Sequence, residues 1–566
     1  MDNEQQTTIG EFLIEALLAR GVRHVFGVPG DSTLDWLVQL EQHEAAERAR
    51  GGTRFLDFVN FSDEQGSGFA ADAYARVHGL GVLCVTYGVG AMKIANPVGG
   101  AYAESSPLLV ISGAPRTTAR AHDDLLHHKI RAFETQLRVF EQLTEAAVAL
   151  DDPRFAAEQI ATLLDTAVRT SRPVYLEVPV DCFRMECPAI AAPEPALSAT
   201  HPESDPGALA EAVEEAVRLM LDPDTLSPLI LAGVEVQRLG LQDELAELVD
   251  RTHLPIAANM LGKSVIDERH PCYVGTYWGR LSRDDVRQRV ETSDRVLQLG
   301  VLWTDFERGF APPPLRPEQS IQANRDRVKI GHATYENVFL HDFLTGFIAR
   351  FPWSRPLPEA PPEPVWIPER DRALTLARLY EAIDDFLEEN TVVVSDVGDC
   401  LFAARDLRTH QESEFVSPAY YLSMGFGVPA SIGVELARRD AGKAGRMLVL
   451  VGDGGFQMTG IELATTLRFG CNPIVILLNN DGYSTERFLI DGAFNDIVRW
   501  DYAGLADVLR DDRLDRRGKG VRVETEGELD DALREAKAYR NGFFLIDAHL
   551  DRLDGSDALR KLWAKT

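Results

Sequence analysis

Residues Val451–Arg487 read VGDGGFQMTGIELATTLRFGCNPIVILLNNDGYSTER. The apolar run Met447–Val451 predicts a strand that leads into the glycine-rich turn GDGG. Thr459–Glu462 has the pattern of a capping box that opens a helix, and Gly470 is placed to end that helix. A second apolar run, Ile474–Leu478, predicts the next strand. The segment is therefore typical of a strand–helix–strand unit in an α/β sheet.

The ends of these two strands are predicted to build a metal site. Strands joined by a crossover helix are parallel, so Asp453 and Asn480, which follow them, should meet at one sheet edge. Their oxygens and the carbonyl of Gly482 suit Mg²⁺, which prefers hard oxygen ligands and often shares them with substrate phosphates. Glycines in the turn 452–455 let the backbone approach an anion closely. Either turn alone is commonplace, but together they predict Mg²⁺ held against a diphosphate.

The composition points to an ordinary globular enzyme of several domains. The chain has 566 residues and a net charge of −30, which disfavours nonspecific binding to nucleic acid or anionic membranes. Six scattered cysteines fit buried thiols in a reducing compartment better than disulfides or a zinc site. The start, Met1–Gln6, lacks the features of a signal peptide, and no apolar stretch approaches membrane-spanning length. We expect a cytoplasmic enzyme.

Two proline-rich segments, 187–208 and 355–368, are predicted linkers. They separate predicted domains at 1–186, 209–354 and 369–566, each of which alternates apolar runs with helical patterns, as α/β domains do. Predicted helices are Ile9–Arg20 and Leu241–Arg251, and predicted strands are Val25–Val28, Val82–Thr86, Leu108–Ser112, Leu229–Ala232, Val296–Leu299 and Val392–Ser395.

Glu64 is a candidate catalytic acid. Ser62 and Gln65 have the pattern of a capping box, so Glu64 should lie in the first turn of a helix. A carboxylate there commonly does no more than complement the helix dipole. The small residues at positions 66, 67, 68, 70 and 71 indicate instead a helix packed tightly against another body, with Glu64 at a buried end.

Four further ionisable residues have both a structural and a functional interpretation. Asp31 is placed to cap a helix that starts near Leu34, and the local sequence favours the cap over a carboxylate in a cleft. His127 and His128 are predicted to lie on a helix and point in two directions. We expect no metal on the pair, because no third ligand is evident; the local sequence favours a structural role over proton transfer. Glu486 begins the helix after the metal turn, as either a solvated acid or a catalytic group.

These motifs resemble the thiamine diphosphate (ThDP)-dependent 2-oxo-acid decarboxylases, such as the pyruvate, indolepyruvate, phenylpyruvate and branched-chain oxo-acid decarboxylases. The GDG…NN segment resembles the ThDP signature. The matching stretches are GVPGDSTL, DEQGSGFAADAYAR, VTYGVGAMKIANPVGGAYAE, LLHHKI, SMGFGVPASIG and GDG…NNDGYSTE. The resemblance implies three doubly wound α/β domains with mainly parallel sheets: pyrimidine-binding, central and diphosphate-binding. It also implies a homodimer or homotetramer with active sites between subunits.

The resemblance also implies roles for individual residues. Glu64 would hydrogen-bond the aminopyrimidine and promote a thiazolium ylid, which attacks the 2-oxo carbon; loss of CO₂ then gives an enamine. Asp31, His127, His128 and Glu486 would manage the proton steps that release an aldehyde. Residues implied to bind the cofactor are Glu64, Leu422, Met424, Gly452, Asp453, Gly454, Gly455, Asn480, Gly482 and Tyr483. Residues implied to ligate Mg²⁺ are Asp453, Asn480 and Gly482.

The chain departs from this family at several positions, which are Val397, Asp399, Ala91, Ser105 and Ser106. Related decarboxylases often carry hydroxyl residues where Val397 and Asp399 stand, and a further acid beside a diphosphate is electrostatically unfavourable. An apolar or aromatic 2-oxo acid is favoured by the candidate pocket walls Leu401, Phe402, Tyr421, Phe488 and Leu489.

Three other functions remain open at this point. A ThDP carboligase resembling acetolactate synthase would use the same cofactor to form a 2-hydroxyketone, but the His127–His128 pair and Glu486 favour protonation. A flavin-linked oxidase is disfavoured, because the middle segment has no convincing G-x-G-x-x-G after a strand. A fold retained only for binding or assembly is disfavoured by the intact metal loop and Glu64.

Overall fold

The computed structural model describes residues 6–188, 202–312, 315–352, 354–410 and 414–564. Most of the predicted first linker therefore lies outside the described residues. The described chain contains three large sheets that are mainly parallel, which confirms the predicted α/β class. A small antiparallel pair, Gln6–Thr8 with Glu186–Pro188, joins the two ends of the N-terminal segment.

The N-terminal sheet has six parallel strands. Their spatial order is Asp57–Asn60, His24–Gly27, Gly81–Val85, Leu108–Ala114, Val174–Pro179 and Ala146–Ala149. Alternate residues face opposite cores, as a strand requires: Val82 and Cys84 belong to one cluster of buried side chains, Leu83 and Val85 to another. The sheet is therefore covered on both faces, which is the doubly wound arrangement.

The C-terminal sheet also has six parallel strands with a core on each face. Their order is Phe415–Val416, Thr391–Ser395, Arg446–Gly452, Ile474–Asn479, Phe544–His549 and Lys519–Val523. The two strands that precede Asp453 and Asn480 are predicted to be parallel neighbours. This prediction is confirmed, because Gly452 lies opposite Leu478 in parallel register. Both turns consequently lie at one sheet edge.

The middle sheet has seven strands, of which the last two pair antiparallel. Their order is Tyr273–Tyr277, Ile256–Asn259, Pro228–Ala232, Arg295–Leu299, Ser320–Asn324, Arg327–Ile330 and Ala333–Glu336. It also has a core on each face.

Helices cover the faces of the sheets, and the predicted helices near residues 9–20 and 241–251 are confirmed. Those of the N-terminal segment are Ile9–Ala19, Leu34–Ala49, Glu64–His78, Val89–Lys93, Ala95–Ala103, Thr117–Ala121, Thr135–Phe140 and Ala156–Thr170. Those of the middle segment are Pro206–Met220, Val234–Arg238, Gln242–Thr252, Asp284–Glu291 and Leu340–Arg350. Those of the C-terminal segment are Leu376–Phe386, Asp399–Ala404, Gly427–Asp440, Asp453–Thr459, Leu463–Phe469, Ser484–Leu489, Leu505–Val508, Glu526–Ala538 and Asp557–Trp563.

One helix pair joins the N-terminal and C-terminal segments. Helix Glu64–His78 packs along helix Gly427–Asp440 so closely that a Cβ at Gly433 would lie 1.9 Å from the Ala70 carbonyl oxygen. Phe69 is part of the hydrophobic core on one face of the C-terminal sheet. The small residues after Glu64 therefore serve the tight packing that the sequence predicts.

Two predicted capping boxes are wrong. Helix Glu64–His78 is capped by Asp63, whose side chain accepts a hydrogen bond from Gln65 N, rather than by Ser62. Thr459 ends helix Asp453–Thr459 and precedes a short 3-10 helix, but its side chain makes no cap hydrogen bond; its hydroxyl donates to the Gly425 carbonyl over 2.6 Å. Gly470 does end a helix as predicted, in the left-handed conformation that glycine adopts readily.

The predicted burial of the cysteines is confirmed, because all six thiols are buried. Among the described residues, no helix combines the length and the apolar character that a membrane span needs.

Candidate active site

The Asp453 carboxylate joins the two turns that are predicted to ligate metal, which are residues 452–455 and 480–482; these are called the metal turns below. Asp453 Oδ1 accepts a hydrogen bond from Gly454 N over 2.7 Å. Asp453 Oδ2 accepts from Asn480 N over 3.2 Å and from Gly482 N over 3.0 Å. Parallel pairing of the strands that precede these turns places the two segments side by side, as the sequence predicts.

Asp453 is a buried charge without a counter-charge. Its side chain is 1% exposed, and burial raises the pKa of the carboxyl to about 6, with nearby Asp481 adding to the effect. Among the described residues no basic side chain forms an ion pair with it. A Cβ at Gly452 would meet nothing within 4 Å, so the backbone here is open to a ligand. A buried carboxylate that contacts the turn of Asn480 and Gly482, whose oxygens are the other predicted ligands, fits a hard divalent cation.

Glu64 is the first residue of its helix and lies at a mostly buried end, as predicted. Its Oε2 accepts a hydrogen bond from Lys93 Nζ over 2.8 Å, a contact that the sequence did not indicate. The preceding backbone is held by Glu462, whose Oε1 accepts from Ser62 N and Asp63 N, each over 3.1 Å. Glu462 thus organises the start of this helix from 400 positions away in the chain, instead of forming the predicted capping box.

Asp31 and the two histidines form one cluster. Asp31 does not cap the helix near Leu34; its Oδ1 accepts from Ser32 N and Thr86 Oγ1, and its Oδ2 faces His127 Nε2 at 2.8 Å. The hydrogen bond with His127 holds the pKa of the Asp31 carboxyl below its ordinary value. The predicted cap is therefore wrong, and the carboxylate lies beside the histidines.

The histidine pair lies in a turn and not on the predicted helix. The His127 and His128 rings are 4.6 Å apart and nearly perpendicular. His128 has φ 66°, and its carbonyl oxygen lies so close to Gly88 that a Cβ there would be 2.5 Å away. The turn brings both rings toward Asp31, which a helix could not do.

The loop before helix Gly427–Asp440 carries the implied cofactor residues Leu422 and Met424. Leu422 has φ 58°, a conformation that is costly for a residue with a large side chain and that persists only when its surroundings enforce it. Asp396, directly after strand Thr391–Ser395, holds the same loop by accepting hydrogen bonds from Gly425 N (3.1 Å) and Gly427 N (2.8 Å). Asp396 was not among the predicted site residues, although its position after a strand end matches that of Asp453 after its own strand.

A buried ion cluster holds the same loop from the N-terminal segment. Glu104 Oε1 accepts from Tyr420 N (2.9 Å) and Tyr421 N (2.8 Å), and its Oε2 pairs with Arg76 at 2.7 Å. Arg76 also pairs with Asp72 at 2.7 Å. All three charged side chains are buried, so loss of one would leave the others uncompensated.

Replacing Glu104 with glutamine is expected to lower the free energy of unfolding by about 3 kcal/mol, because Arg76 loses a buried counter-charge. The loop that carries Leu422 should also loosen and lower kcat. Scanning calorimetry and steady-state kinetics would measure both effects. Glu145→Gln is the matched control: Glu145 is exposed and accepts only a long hydrogen bond from Tyr102, so stability should change by less than about 0.5 kcal/mol. Equal effects of the two substitutions would contradict this account.

Asp399 contacts the start of helix Asp557–Trp563. It is buried, and it accepts hydrogen bonds from the Oγ of Ser556 and from Ser556 N over 2.9 Å. Ser556 caps the C-terminal helix, whose Arg560 lies 5.3 Å over the Phe488 ring. Phe488 is on the short helix that carries the exposed Glu486. Asp399 therefore holds the start of helix Asp557–Trp563, which packs against helix Ser484–Leu489.

The five candidate pocket walls differ in exposure. Leu401 and Phe402 lie in the core, where Phe402 stacks on Trp278 at 5.3 Å, and Phe488 packs half-buried against the same core. Tyr421 and Leu489 are 41% and 49% exposed, so they remain able to contact a ligand.

The candidate residues form two separate groups within one chain. Glu64 and the Asp31–His127–His128 cluster belong to the N-terminal segment, whereas Asp453 and Glu486 belong to the C-terminal segment. In the described part of the chain no hydrogen bond or ion pair joins one group to the other.

Family models match all three segments. Residues 7–137 match the thiamine pyrophosphate enzyme N-terminal TPP binding domain, 213–348 the central domain and 396–548 the C-terminal TPP binding domain. The chain is 36% identical over 561 residues to an indole-3-pyruvate decarboxylase of Azospirillum brasilense, covering 98% of this chain and 97% of that protein. It is 29% identical over 568 residues to pyruvate decarboxylase isozyme 3 of Saccharomyces cerevisiae, covering 98% of each. It is 31% identical over 561 residues to an alpha-keto-acid decarboxylase of Mycobacterium avium, covering 97% of this chain and 95% of that protein.

Proposed function

This chain belongs to the ThDP-dependent 2-oxo-acid decarboxylases, and on that basis we propose that it uses Mg²⁺ and ThDP to convert a 2-oxo acid into an aldehyde and CO₂. The observation that carries the proposal is the buried Asp453 carboxylate, which spans both metal turns and has no basic partner among the described residues. The contact between Asp31 and His127 supports protonation, and therefore aldehyde release, over carboligation.

The cofactor would be held by the residues that the sequence analysis identified. Asp453, Asn480 and the Gly482 carbonyl would ligate Mg²⁺, and the open backbone at Gly452 would approach the diphosphate. The other proposed contacts are Leu422, Met424, Gly454, Gly455, Tyr483 and Glu64. Bound ThDP would supply an electron sink for the loss of CO₂.

The proton steps would fall to five side chains. Glu64 would hold a proton at the aminopyrimidine ring through Oε1, because its Oε2 is engaged by Lys93. His127, oriented by Asp31, would act with His128 as proton donor during product formation. Glu486 would serve the same stage from the other half of the site, since its helix follows the metal turn directly.

We infer that two copies of the chain complete each site. The two groups of catalytic residues have no direct contact within the described part of one chain. Apolar side chains near the metal turn are exposed, including Phe494 at 71% and Val498 at 73%. A second copy would cover them and bring Glu64 to Asp453. This supports a homodimer or homotetramer.

Within each chain we propose domains at 1–186, 209–354 and 369–566. The buried free thiols support a cytoplasmic location.

The substrate is proposed to be an apolar or aromatic 2-oxo acid, because partly exposed apolar side chains, among them Tyr421 and Leu489, lie near the implied cofactor and catalytic residues in the sequence. Reconstitution with ThDP and Mg²⁺ against a panel of aliphatic and aromatic 2-oxo acids tests this. We expect CO₂ and aldehyde in equal amounts, with the highest kcat/KM for an aromatic substrate. A 2-hydroxyketone as the main product would contradict the proposal, as would failure to bind ThDP with Mg²⁺.

Cofactor binding should depend on pH through Asp453. The folded pKa of about 6 means that the carboxyl is protonated at pH 5 and ionised at pH 7, and only the ionised form ligates a metal. Apparent Mg²⁺ affinity in saturating ThDP should fall about tenfold per pH unit below pH 6 and level off above it. Calorimetric titration between pH 5 and 8 measures this.

Asp399→Asn provides the matched control for that titration. Burial also raises the pKa of Asp399 to about 6, but this carboxyl faces Ser556. The control should show the wild-type pH dependence. If it shifted the dependence as much as a change at position 453, the assignment to Asp453 would be wrong.

A further inference from the structure

The local sequence shows no third ligand beside the histidine pair, so no metal is expected there. In the structure, Asp31 supplies that ligand. A carboxylate oxygen of Asp31 and one ring nitrogen from each of His127 and His128 all lie within 4.8 Å of one another. Ligand atoms of a tetrahedral zinc site, each about 2.0–2.2 Å from the metal, are about 3.4 Å apart, so side-chain rotations that shift these atoms by about 1 Å would bring the three groups onto one ion.

The three side chains are held in position by their surroundings. Asp31 Oδ1 is occupied by Ser32 N (2.9 Å) and Thr86 Oγ1 (3.1 Å), so its Oδ2 is left facing His127. Hydrogen bonds of this kind orient carboxylate ligands in metal sites. His128 is fixed by the close approach of its turn to Gly88, whose N–H donates to Gln136 over 2.6 Å.

We propose that Asp31, His127 and His128 form a binding site for a borderline transition-metal dication, with Zn²⁺ as the expected ion, and that occupancy inhibits the enzyme. Three protein ligands leave a coordination position for water, the arrangement of open zinc sites. Two imidazoles and one carboxylate favour Zn²⁺ or Co²⁺ over Mg²⁺, which takes oxygen ligands. The turn around Asp453 offers only oxygens, so the chain has two metal sites of different chemistry.

Inhibition rests on the proposed function, whereas metal binding does not. A bound ion would occupy the lone pairs of three groups that the proposed reaction uses for proton transfer. Decarboxylation should therefore stop while the Mg²⁺ site stays filled. The site would make activity sensitive to free zinc and reversible on its removal.

The binding test uses Co²⁺ titrated into the full chain saturated with Mg²⁺ and ThDP. Nitrogen-ligated cobalt of low coordination number absorbs visible light far more strongly than cobalt in an all-oxygen octahedral site. We expect one strongly absorbing Co²⁺ per chain, displaced by Zn²⁺. Asp31→Asn and His128→Asn should each weaken binding by at least about tenfold. Asparagine tolerates the positive φ of position 128, so this variant should fold.

The matched control is His122→Asn, an exposed histidine of the same segment outside the cluster, which should leave the cobalt spectrum unchanged. The inference is overturned if wild-type protein shows no strong visible band at millimolar Co²⁺, or if the band persists undiminished in both cluster variants.

A second measurement separates this inference from the proposed function. Zn²⁺ should inhibit decarboxylation in excess Mg²⁺, and a zinc-selective chelator should restore it. Cobalt binding without activity on any 2-oxo acid would remove the proposed function and leave the metal site. Decarboxylation without a cobalt band would remove the metal site alone.

Discussion

Replacing Glu64 with glutamine is expected to lower kcat by about 100- to 1,000-fold, the range for loss of a group that transfers or holds a proton. Glutamine keeps the size of the side chain and can still hydrogen-bond a ring nitrogen, so ThDP should bind with nearly unchanged affinity. It cannot gain or lose a proton. The effect should therefore appear in kcat and in exchange of the thiazolium C2 proton, which NMR measures in the absence of substrate.

The neighbouring residue gives a matched control. Asp63 also pairs with Lys93, and its side chain caps the same helix. Asparagine caps a helix as well as aspartate does, so Asp63→Asn removes a charge one residue away without removing the cap. We expect it to keep kcat within about threefold, a change of less than about 0.7 kcal/mol in the barrier. If Asp63→Asn lowered kcat as much as Glu64→Gln, kcat would depend on the charge near Lys93 and not on proton transfer by Glu64.

Local sequence predicts the metal turns well for a physical reason. The strands before Asp453 and Asn480 are neighbours in the chain, joined by one crossover, and parallel pairing leaves little choice about where their ends lie. The same reasoning would have found Asp396, which follows the adjacent strand of the sheet.

The remaining parts of the site depend on contacts that local sequence does not determine. Asp31 and His127 are 96 positions apart, and Glu462 reaches Ser62 across 400. Local patterns favoured a cap for Asp31 and a capping box for Glu462, since short-range hydrogen bonds are the default partners of such side chains. Tertiary packing supplied other donors. The family resemblance alone implies a functional role for Asp31 and the histidines, whereas their own sequence neighbourhoods favour structural roles.

The buried carboxylates of Glu104 and Asp453 differ in the groups that they contact. Glu104 is compensated by Arg76, and the pair fixes a loop. Among the described residues, the hydrogen-bond partners of Asp453 are backbone amides, and its raised pKa reports the cost of holding a charge there. A buried charge that is unfavourable in the free protein is suited to recover that cost when a cation binds.

Replacing Asp453 with asparagine is expected to abolish activity and to remove the stabilisation that Mg²⁺ and ThDP together give wild-type protein. Asparagine has no charge for the metal, and its single oxygen can replace either Oδ2, which accepts from Asn480 N and Gly482 N, or Oδ1, which accepts from Gly454 N, but not both. Equilibrium dialysis with ThDP and Mg²⁺, followed by calorimetry, measures both losses. The Asp399→Asn control should keep cofactor binding, because that carboxyl bonds Ser556.

The cofactor-free proteins should differ in a pH-dependent way whose sign follows from the raised pKa. The folded Asp453 carboxyl binds its proton more tightly than the unfolded one, so wild-type stability falls as pH rises from about 4 to about 6 and the penalty is constant above that. Asparagine lacks this penalty. The free energy of unfolding of the variant, relative to that of wild type, should therefore rise by about 3 kcal/mol between pH 4 and pH 7. This rise does not depend on how much stability the lost hydrogen bonds cost at pH 4. Thermal unfolding of both cofactor-free proteins across this range tests the argument. A constant difference between them would mean that Asp453 is not a buried uncompensated charge, and the case for a cation at this site would fail with it.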